Sequence, residues 1–309
     1  MDLFFLLTQI ILVPSVAPLA VGIIKKIKAR LQNRDGASVL QPYSDLRKLF
    51  YKDEVVSSDA SWIFRAAPYV VFGVTIIAGA SIPLFSSFSS THLMSDMLVI
   101  VYTLAIGTFF LALAGMDVGS AFGGFGSSRE MTLSALAEGG FIFSLLTIAI
   151  MTGTADLFTI SGNTLFFDGQ YLIPTILAFS GFFIILLAET ARFPFDNPAT
   201  HLELTMIHEA MILEYSGKKL ALMEWASANK LVIFFMLGAN VFFPIGLAAS
   251  ESVGALIIGL SAFFLKLGVF AAIIAVIESV MAKFRFFRLP DLLIVSFILN
   301  AVAIGLIYL

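Results

Sequence analysis

The chain has 309 residues, of which 59% are hydrophobic and only 13% are charged, and its mean hydropathy is +0.99. Soluble domains carry about 45–50% apolar and about 25% charged residues, so this composition excludes a water-soluble protein and predicts one embedded in lipid. The net charge of −3 gives no indication of nucleic-acid binding. Because cysteine is absent, disulfides, thiolate-held iron–sulfur clusters and thiol catalysis are excluded in this chain.

Eight windows of the sequence are apolar over about 20 residues, the length of helix that crosses a bilayer core. They predict an all-α integral membrane protein with eight transmembrane helices in a single domain over residues 1–309. No internal repeat is evident. The predicted spans are residues 4–24, 66–85, 93–116, 131–151, 171–189, 231–249, 254–277 and 292–309.

The connections between these spans carry basic residues asymmetrically. Every lysine and arginine except Lys266 falls in the first, third, fifth or seventh connection. Because basic loops stay in the cytoplasm, the odd connections are predicted to be cytoplasmic and both termini to face outward. The first connection (25–65) and the fifth (190–230) are long, and we predict that they form a docking face.

Charges inside the predicted spans are the sharpest signal of function. Glu138 lies in the fourth span and Lys266 in the seventh. Each costs about 2.5–3.5 kcal/mol at a helix centre, so each should face protein or water. One interpretation is a proton or ion path that opens toward the cytoplasm. The other is a structural pair, for example between Lys266 and a carboxylate of another span.

Two more carboxylates lie at the inner ends of spans. Glu189 ends the fifth span, and its spacing allows it to pair with Arg192 on one helix face. Glu278 ends the seventh span and is expected at headgroup level, near Lys283.

The first connection contains a predicted amphipathic helix. A lysine cluster at residues 25–28 is compatible with anionic lipid headgroups. After it, Leu46, Leu49 and Phe50 recur at helical spacing with charged residues between them. This pattern predicts a helix that lies in the interface or under a partner.

A second helix is predicted in the fifth connection, with Asn197 as its N-cap and Pro198 at its first position. It should run to about Glu214 and close at Gly217. Residue 212 is not histidine, so the zinc-protease pattern H-E-x-x-H is absent. The polar residues on this helix would be His201, Glu203, His208, Glu209 and Glu214.

The third connection is rich in glycine. A phosphate-binding loop would need a preceding strand, and here a membrane span precedes it, so a nucleotide site is not expected. We expect these glycines to allow close backbone packing instead. They are Gly119, Gly123, Gly124 and Gly126.

Four ordered motifs resemble those of the complex I subunit 1 family, which also includes the membrane subunits of group 4 [NiFe]-hydrogenases. Two departures resemble the hydrogenase branch: Ala37 follows Gly36 where a proline is usual, and residues 197–204 carry fewer acids. The loss of acids counts against a quinone site. The motifs are Arg30, Arg34, Gly36, Gln41, Asp45 and Lys48; Ser127 to Glu130 with Glu138; Ala188 to Asp196; and Glu214 to Gly217.

The resemblance implies a membrane anchor and ion-coupling subunit of a respiratory oxidoreductase in a prokaryotic cytoplasmic membrane. A hydrogenase-like large subunit and an iron–sulfur subunit would dock on the cytoplasmic loops, and those partners would hold the NiFe centre and the clusters. Antiporter-like membrane subunits would receive the energy. The implied docking residues are Arg30, Arg34, Gln41, Asp45, Lys48, Arg129, Glu130, Arg192 and Asp196. The implied ion-path residues are Glu138, Glu189, Glu203, Glu214 and Lys266.

Two alternatives stay open. The first is the quinone-binding subunit of a complex I-type NADH dehydrogenase. The second is a stand-alone secondary transporter, a class that tends to show inverted repeats with interrupted helices.

Overall fold

The computed structural model describes residues 2–88, 95–163, 169–197 and 205–308, with side chains from Leu7 onward. Within these ranges the chain forms eleven α-helices and one 3-10 turn, and the only β-structure is two isolated bridges. The helices are α1 (Asp2–Leu31), α2 (Gln41–Tyr51), α3 (Trp62–Ala80), α4 (Met97–Asp117), α5 (Ala121–Thr152), α6 (Leu157–Ser161), α7 (Gly169–Glu189), α8 (His208–Ile212), α9 (Gly217–Val241), α10 (Val253–Val280) and α11 (Leu289–Ile307).

Eight of the described helices are long and apolar enough to cross a membrane: α1, α3, α4, α5, α7, α9, α10 and α11. This confirms the predicted all-α architecture with eight spans. Because successive spans alternate in direction, connections 32–61, 118–120, 190–216 and 281–288 meet at one end of the bundle. We call this the basic end, and the other the opposite end.

Side chains satisfy backbone groups that the helices leave free. Ser61 accepts a hydrogen bond from the Ile63 amide at the start of α3, and Asp96 accepts one from the Leu98 amide at the start of α4. Pro18 lies inside α1 and cannot bond the carbonyl of Pro14. Trp225 of α9 donates its indole Nε1–H to that carbonyl at 2.8 Å, so α9 stabilises the interrupted turn of α1.

Three spans are longer at the basic end than the sequence predicted. Helix α1 continues to Leu31, α5 begins at Ala121 instead of residue 131, and α9 covers 217–241 instead of 231–249. Their polar ends read as loops because they extend past the apolar part of each span. The two docking loops, predicted as 25–65 and 190–230, are therefore shorter than predicted.

The predicted helix from Pro198 to Glu214 was wrong in most of its described part. Residues 198–204 lie outside the described residues, 205–207 are not helical, and α8 contains only His208–Ile212. Gly217 opens α9 instead of closing a helix. Its φ is +54°, and an added Cβ would lie 2.7 Å from the carbonyl oxygen of Asp53, so the position requires glycine.

The glycines that had been assigned to a loop lie on α5 or just before it. A Cβ on Gly123 would lie 2.2 Å from the carbonyl oxygen of Gly115 in α4. A Cβ on Gly126 would lie 2.8 Å from the side chain of Ala210 in α8. This confirms the predicted close packing at these two positions, and it brings α4, α5 and α8 together at the basic end.

Candidate functional site

A cavity of about 750 Å3 opens at the basic end between α1, α2, α8 and α9. Apolar side chains such as Pro18, Val21 and Ile24 line one part of it. The rest of the wall carries charges of both signs. The cations are Lys25, Lys28, Arg34 and Arg192, and the acids are Asp45, Glu209, Glu224 and Glu278.

Glu278 is buried in the wall of this cavity and joins three segments. It accepts hydrogen bonds from Lys28 Nζ of α1 at 3.0 Å and from Arg192 Nη1 at 3.0 Å. The prediction of a headgroup-level residue near Lys283 was therefore wrong. The predicted Glu189–Arg192 pair was also wrong, because α7 ends at Glu189 and Ala191, at φ +50°, reverses the chain before Arg192.

Asp196 is buried and holds the start of α8. Its Oδ2 accepts the backbone amides of Ile207 at 3.2 Å and His208 at 3.0 Å, and its Oδ1 accepts from Lys283 Nζ at 2.5 Å. Arg129 of α5 donates to the carbonyl of Met206 at 3.0 Å. Arg129 and Asp196 thus fix the segment that carries α8, and their role in docking stays a prediction.

A second cavity of about 40 Å3 lies deeper in the bundle, and Glu130, His208 and Lys230 line it. Lys230 Nζ pairs with Glu189 at 2.7 Å and donates to Thr108 Oγ1 at 3.3 Å. Sequence reasoning missed Lys230 because it placed this residue in a loop. Glu130, Glu189 and Lys230 form an internal cluster, which we call the inner cluster.

Glu138 of α5 lies in a groove of about 300 Å3 between α4 and α5. Thr108 lines both this groove and the second cavity, so the groove continues from the inner cluster. Tyr102 and Phe109, which also line the groove, are about half exposed on the outer surface of the bundle. Glu138 therefore lies beside the inner cluster, where a path toward a neighbouring membrane subunit would need a carboxylate.

Lys266 of α10 lies apart from these groups. Its ammonium contacts Asn240 Oδ1 at 2.6 Å and the carbonyls of Ala239 at 3.4 Å and Phe243 at 3.3 Å. Helix α9 ends at Val241, so Lys266 neutralises carbonyls that the helix end leaves free. In the described residues it pairs with these oxygens instead of the predicted carboxylate, and its place in an ion path stays a prediction.

The remaining predicted residues lie at the basic end. Glu214 is exposed in the turn between α8 and α9, and Glu203 and His201 lie outside the described residues. The predicted amphipathic helix of the first connection is confirmed as α2, where Gln41 Nε2 donates to Asp45 Oδ1 at 2.8 Å. Within the described part of the chain no three histidine or acidic side chains form a metal site. The exposed docking candidates are Arg30, Arg34 and Lys48.

Burial shifts the pKa of two neighbouring groups in α8. Desolvation lowers the pKa of His208 to about 4, and the charges of Lys230 and Arg192 lower it further against the opposing effect of Asp196. The same burial raises the pKa of Glu209 to about 7, and the charges of Glu224 and Asp196 contribute. His208 is therefore neutral at pH 7, while Glu209 exchanges its proton near that pH.

We expect the Glu209 carboxyl to titrate near pH 7 instead of near the ordinary pKa of 4.5. Because its pKa is raised, the neutral acid is present below pH 7 and the carboxylate above it. Infrared difference spectra between pH 5 and pH 9 should show a protonated carboxyl band that is lost with a midpoint near 7 and is absent from Glu209→Gln. A band lost near pH 4.5 would contradict the burial of this group.

A sequence model of the NADH dehydrogenase family matches residues 4–309. Hydrogenase-4 component C of Escherichia coli (strain K12) is 33% identical over 97% of this chain and 94% of that protein. Formate hydrogenlyase subunit 4 of the same strain is 32% identical over 92% of each. A membrane-family relative from Rubrobacter xylanophilus, a subunit of NADH-quinone oxidoreductase, is 29% identical over 76% of this chain and 72% of that protein.

The fold matches a chain in the structure of the membrane-bound sulfane sulfur reductase, an archaeal respiratory membrane complex. The TM-score is 0.83 at 20% identity, and the match covers 99% of both chains. The family resemblance inferred from the four motifs is thereby confirmed. The chain belongs to the NADH dehydrogenase family of complex I subunit 1 type, on the branch of the group 4 hydrogenases.

Proposed function

We propose that this chain is the membrane anchor and ion-coupling subunit of a group 4 hydrogenase-type respiratory complex. Two relatives at 33% and 32% identity are a hydrogenase-4 component and a formate hydrogenlyase subunit, and both are matched over more than nine-tenths of their length. The chain contains no cysteine with which to hold an iron–sulfur cluster. Its contribution is therefore docking and charge transfer, and the redox centres belong to partner subunits.

One observation carries this proposal: charged and polar groups continue from the basic end into the membrane. The large cavity holds Glu209, the second cavity holds Glu130 and Lys230, and the groove holds Glu138. Carboxylates inside a membrane bundle are costly, so a connected series of them points to an ion pathway. A redox event in a docked subunit would change the charge beside the large cavity and so shift proton binding along the series.

The basic end is the face on which the soluble partners would dock. The positive-inside rule supports a cytoplasmic location for it in a prokaryotic cell, with both termini outside. The exposed cations Arg30, Arg34 and Lys48 are available there to acidic surfaces of a hydrogenase-like large subunit and an iron–sulfur subunit. Those partners would hold the NiFe centre and the clusters. Antiporter-like membrane subunits would lie beside the Glu138 groove.

The test is Glu138→Gln in the native complex. Glutamine keeps the shape of the side chain but cannot release a proton. We expect normal complex yield and normal electron transfer in the presence of an uncoupler, with ions translocated per electron pair reduced about tenfold or more. The measurement is complex yield, hydrogen evolution and ion uptake in the same inverted vesicles.

The matched control is Glu251→Gln, because Glu251 is exposed in the connection between α9 and α10 at the opposite end. This variant should behave as the unmodified complex in all three assays. Normal ion uptake in Glu138→Gln would remove the groove from the path. Loss of the assembled complex would assign Glu138 a structural role instead.

A second candidate function, quinone binding in a complex I-type dehydrogenase, is favoured by one observation. The large cavity joins an apolar part to a charged part, as a quinone with an apolar tail would require. The hydrogenase relatives match more of the chain at higher identity, which favours the first candidate. A photoreactive quinone analogue that labels Val21 or Ile24 in the purified complex would support the second.

A further inference from the structure

The large cavity and the second cavity share a thin wall. Among the described residues, three side chains line both of them: His208 and Ile212 of α8 and Ser227 of α9. A proton that moves from the basic end to the inner cluster through these cavities must therefore pass these side chains. The second cavity holds about 40 Å3, enough for one or a few water molecules beside them.

Of these three side chains, only the imidazole can take up a proton and release one. Ile212 has no polar side-chain atom. The Ser227 hydroxyl can pass a hydrogen bond but cannot store the extra charge at neutral pH. The His208 ring has two nitrogens, one of which accepts a proton while the other donates one. Of the three, His208 is therefore the group suited to relay protons across this wall.

The surroundings hold the ring in place and keep it neutral at rest. The backbone amide of His208 donates to the buried carboxylate of Asp196 at 3.0 Å, which fixes the first turn of α8. The cations near the ring are Lys230 of α9 and Arg192 after α7, and the neighbouring acids are Asp196 and, across the second cavity, Glu130 of α5. Glu209 follows it in the chain and lines the large cavity.

We propose that His208 is the proton relay between the large cavity and the inner cluster, a proposal that rests on the ion-coupling function above. The ring nitrogen facing the large cavity accepts a proton from water or from the Glu209 carboxylic acid, which becomes a carboxylate. The other ring nitrogen then gives its proton to the Glu130 carboxylate or to water in the second cavity. One proton enters and one leaves, and rotation of the ring restores the starting tautomer.

The relay is tested with His208→Gln and His208→Ala in the native complex. Glutamine fills the position with a group that cannot titrate, and alanine leaves a space that opens into the large cavity. We expect both variants to assemble and to lose about tenfold or more of the ions translocated per electron pair. Added imidazole should restore translocation in His208→Ala but not in His208→Gln.

Pyrazole separates proton transfer from filling of space, because it has the size of imidazole but is a far weaker base. It should leave His208→Ala inactive in translocation. Vesicles of the unmodified complex with the same additions control for buffering. Equal rescue by the two rings, or assembly lost in both variants without imidazole-dependent recovery, would assign His208 a packing role and overturn the relay.

Glu138→Gln is measured in parallel so that two failures can be told apart. Translocation blocked in Glu138→Gln but normal in His208→Gln would overturn the relay and leave the ion-coupling function standing. Normal translocation in both variants would overturn both proposals.

Discussion

Replacing Glu278 with alanine is expected to prevent stable folding of this subunit. The carboxylate is 3% exposed and lies 3.0 Å from both Lys28 Nζ and Arg192 Nη1, so its removal leaves two cations without their partner. Breaking a buried ion pair in this way costs about 3–5 kcal/mol, a large fraction of the roughly 5–15 kcal/mol that stabilises most proteins. The Nε of Arg192 already has no hydrogen-bond partner among the described residues. The measurement is the amount and the melting temperature of the complex in detergent.

The control for Glu278→Ala is Glu251→Ala, an exposed position where the expected change is within about 0.5 kcal/mol. A second comparison is the triple variant Lys28→Met, Arg192→Met and Glu278→Met. Because it removes the two charges together with the carboxylate, it should recover part of the stability lost in Glu278→Ala. An unchanged melting temperature in Glu278→Ala would show that water reaches the two cations.

The eight membrane helices were predictable because lipid imposes a strict rule on sequence. A span needs about 20 apolar residues, and windows of that length are separated here by polar connections. The helix ends were less predictable, because a helix that leaves the bilayer becomes polar without ending. Residues 217–230 contain mainly Ala, Leu, Met, Lys and Glu, which are strong helix formers. That composition was a signal for the early start of α9.

The partners of the charged residues depend on which helices lie side by side, and a single sequence does not contain that information. Spacing along the chain suggested Arg192 for Glu189, whereas packing of α7 against α9 supplies Lys230. In the same way Glu278 pairs with two cations from distant segments instead of a lysine five residues away. The predicted positions of intramembrane charge were right for Glu138 and Lys266, and what each contacts became visible only in the fold.

Replacing Asp196 with alanine is expected to release the start of α8 and with it the His208 side chain. The carboxylate accepts two backbone amides and the Lys283 ammonium, and it is nearly fully buried. Loss of a side-chain cap costs about 0.5–2 kcal/mol, and a hydrogen bond to a charged group contributes about 1.5–3 kcal/mol. The expected result is a lower melting temperature and faster hydrogen exchange at residues 205–212, together with reduced ion translocation.

The effect of Asp196→Ala is divided between capping and ion pairing by two further variants. Asp196→Asn keeps an oxygen that can accept a backbone amide of α8, but it removes the charge that binds Lys283. Lys283→Met removes the cation and leaves both amide contacts of the carboxylate in place. If α8 is held mainly by its cap, exchange at residues 205–212 should stay slow in Asp196→Asn and in Lys283→Met. Fast exchange in Lys283→Met would show instead that the ion pair positions the carboxylate, and that the seventh connection holds His208 against the wall between the two cavities.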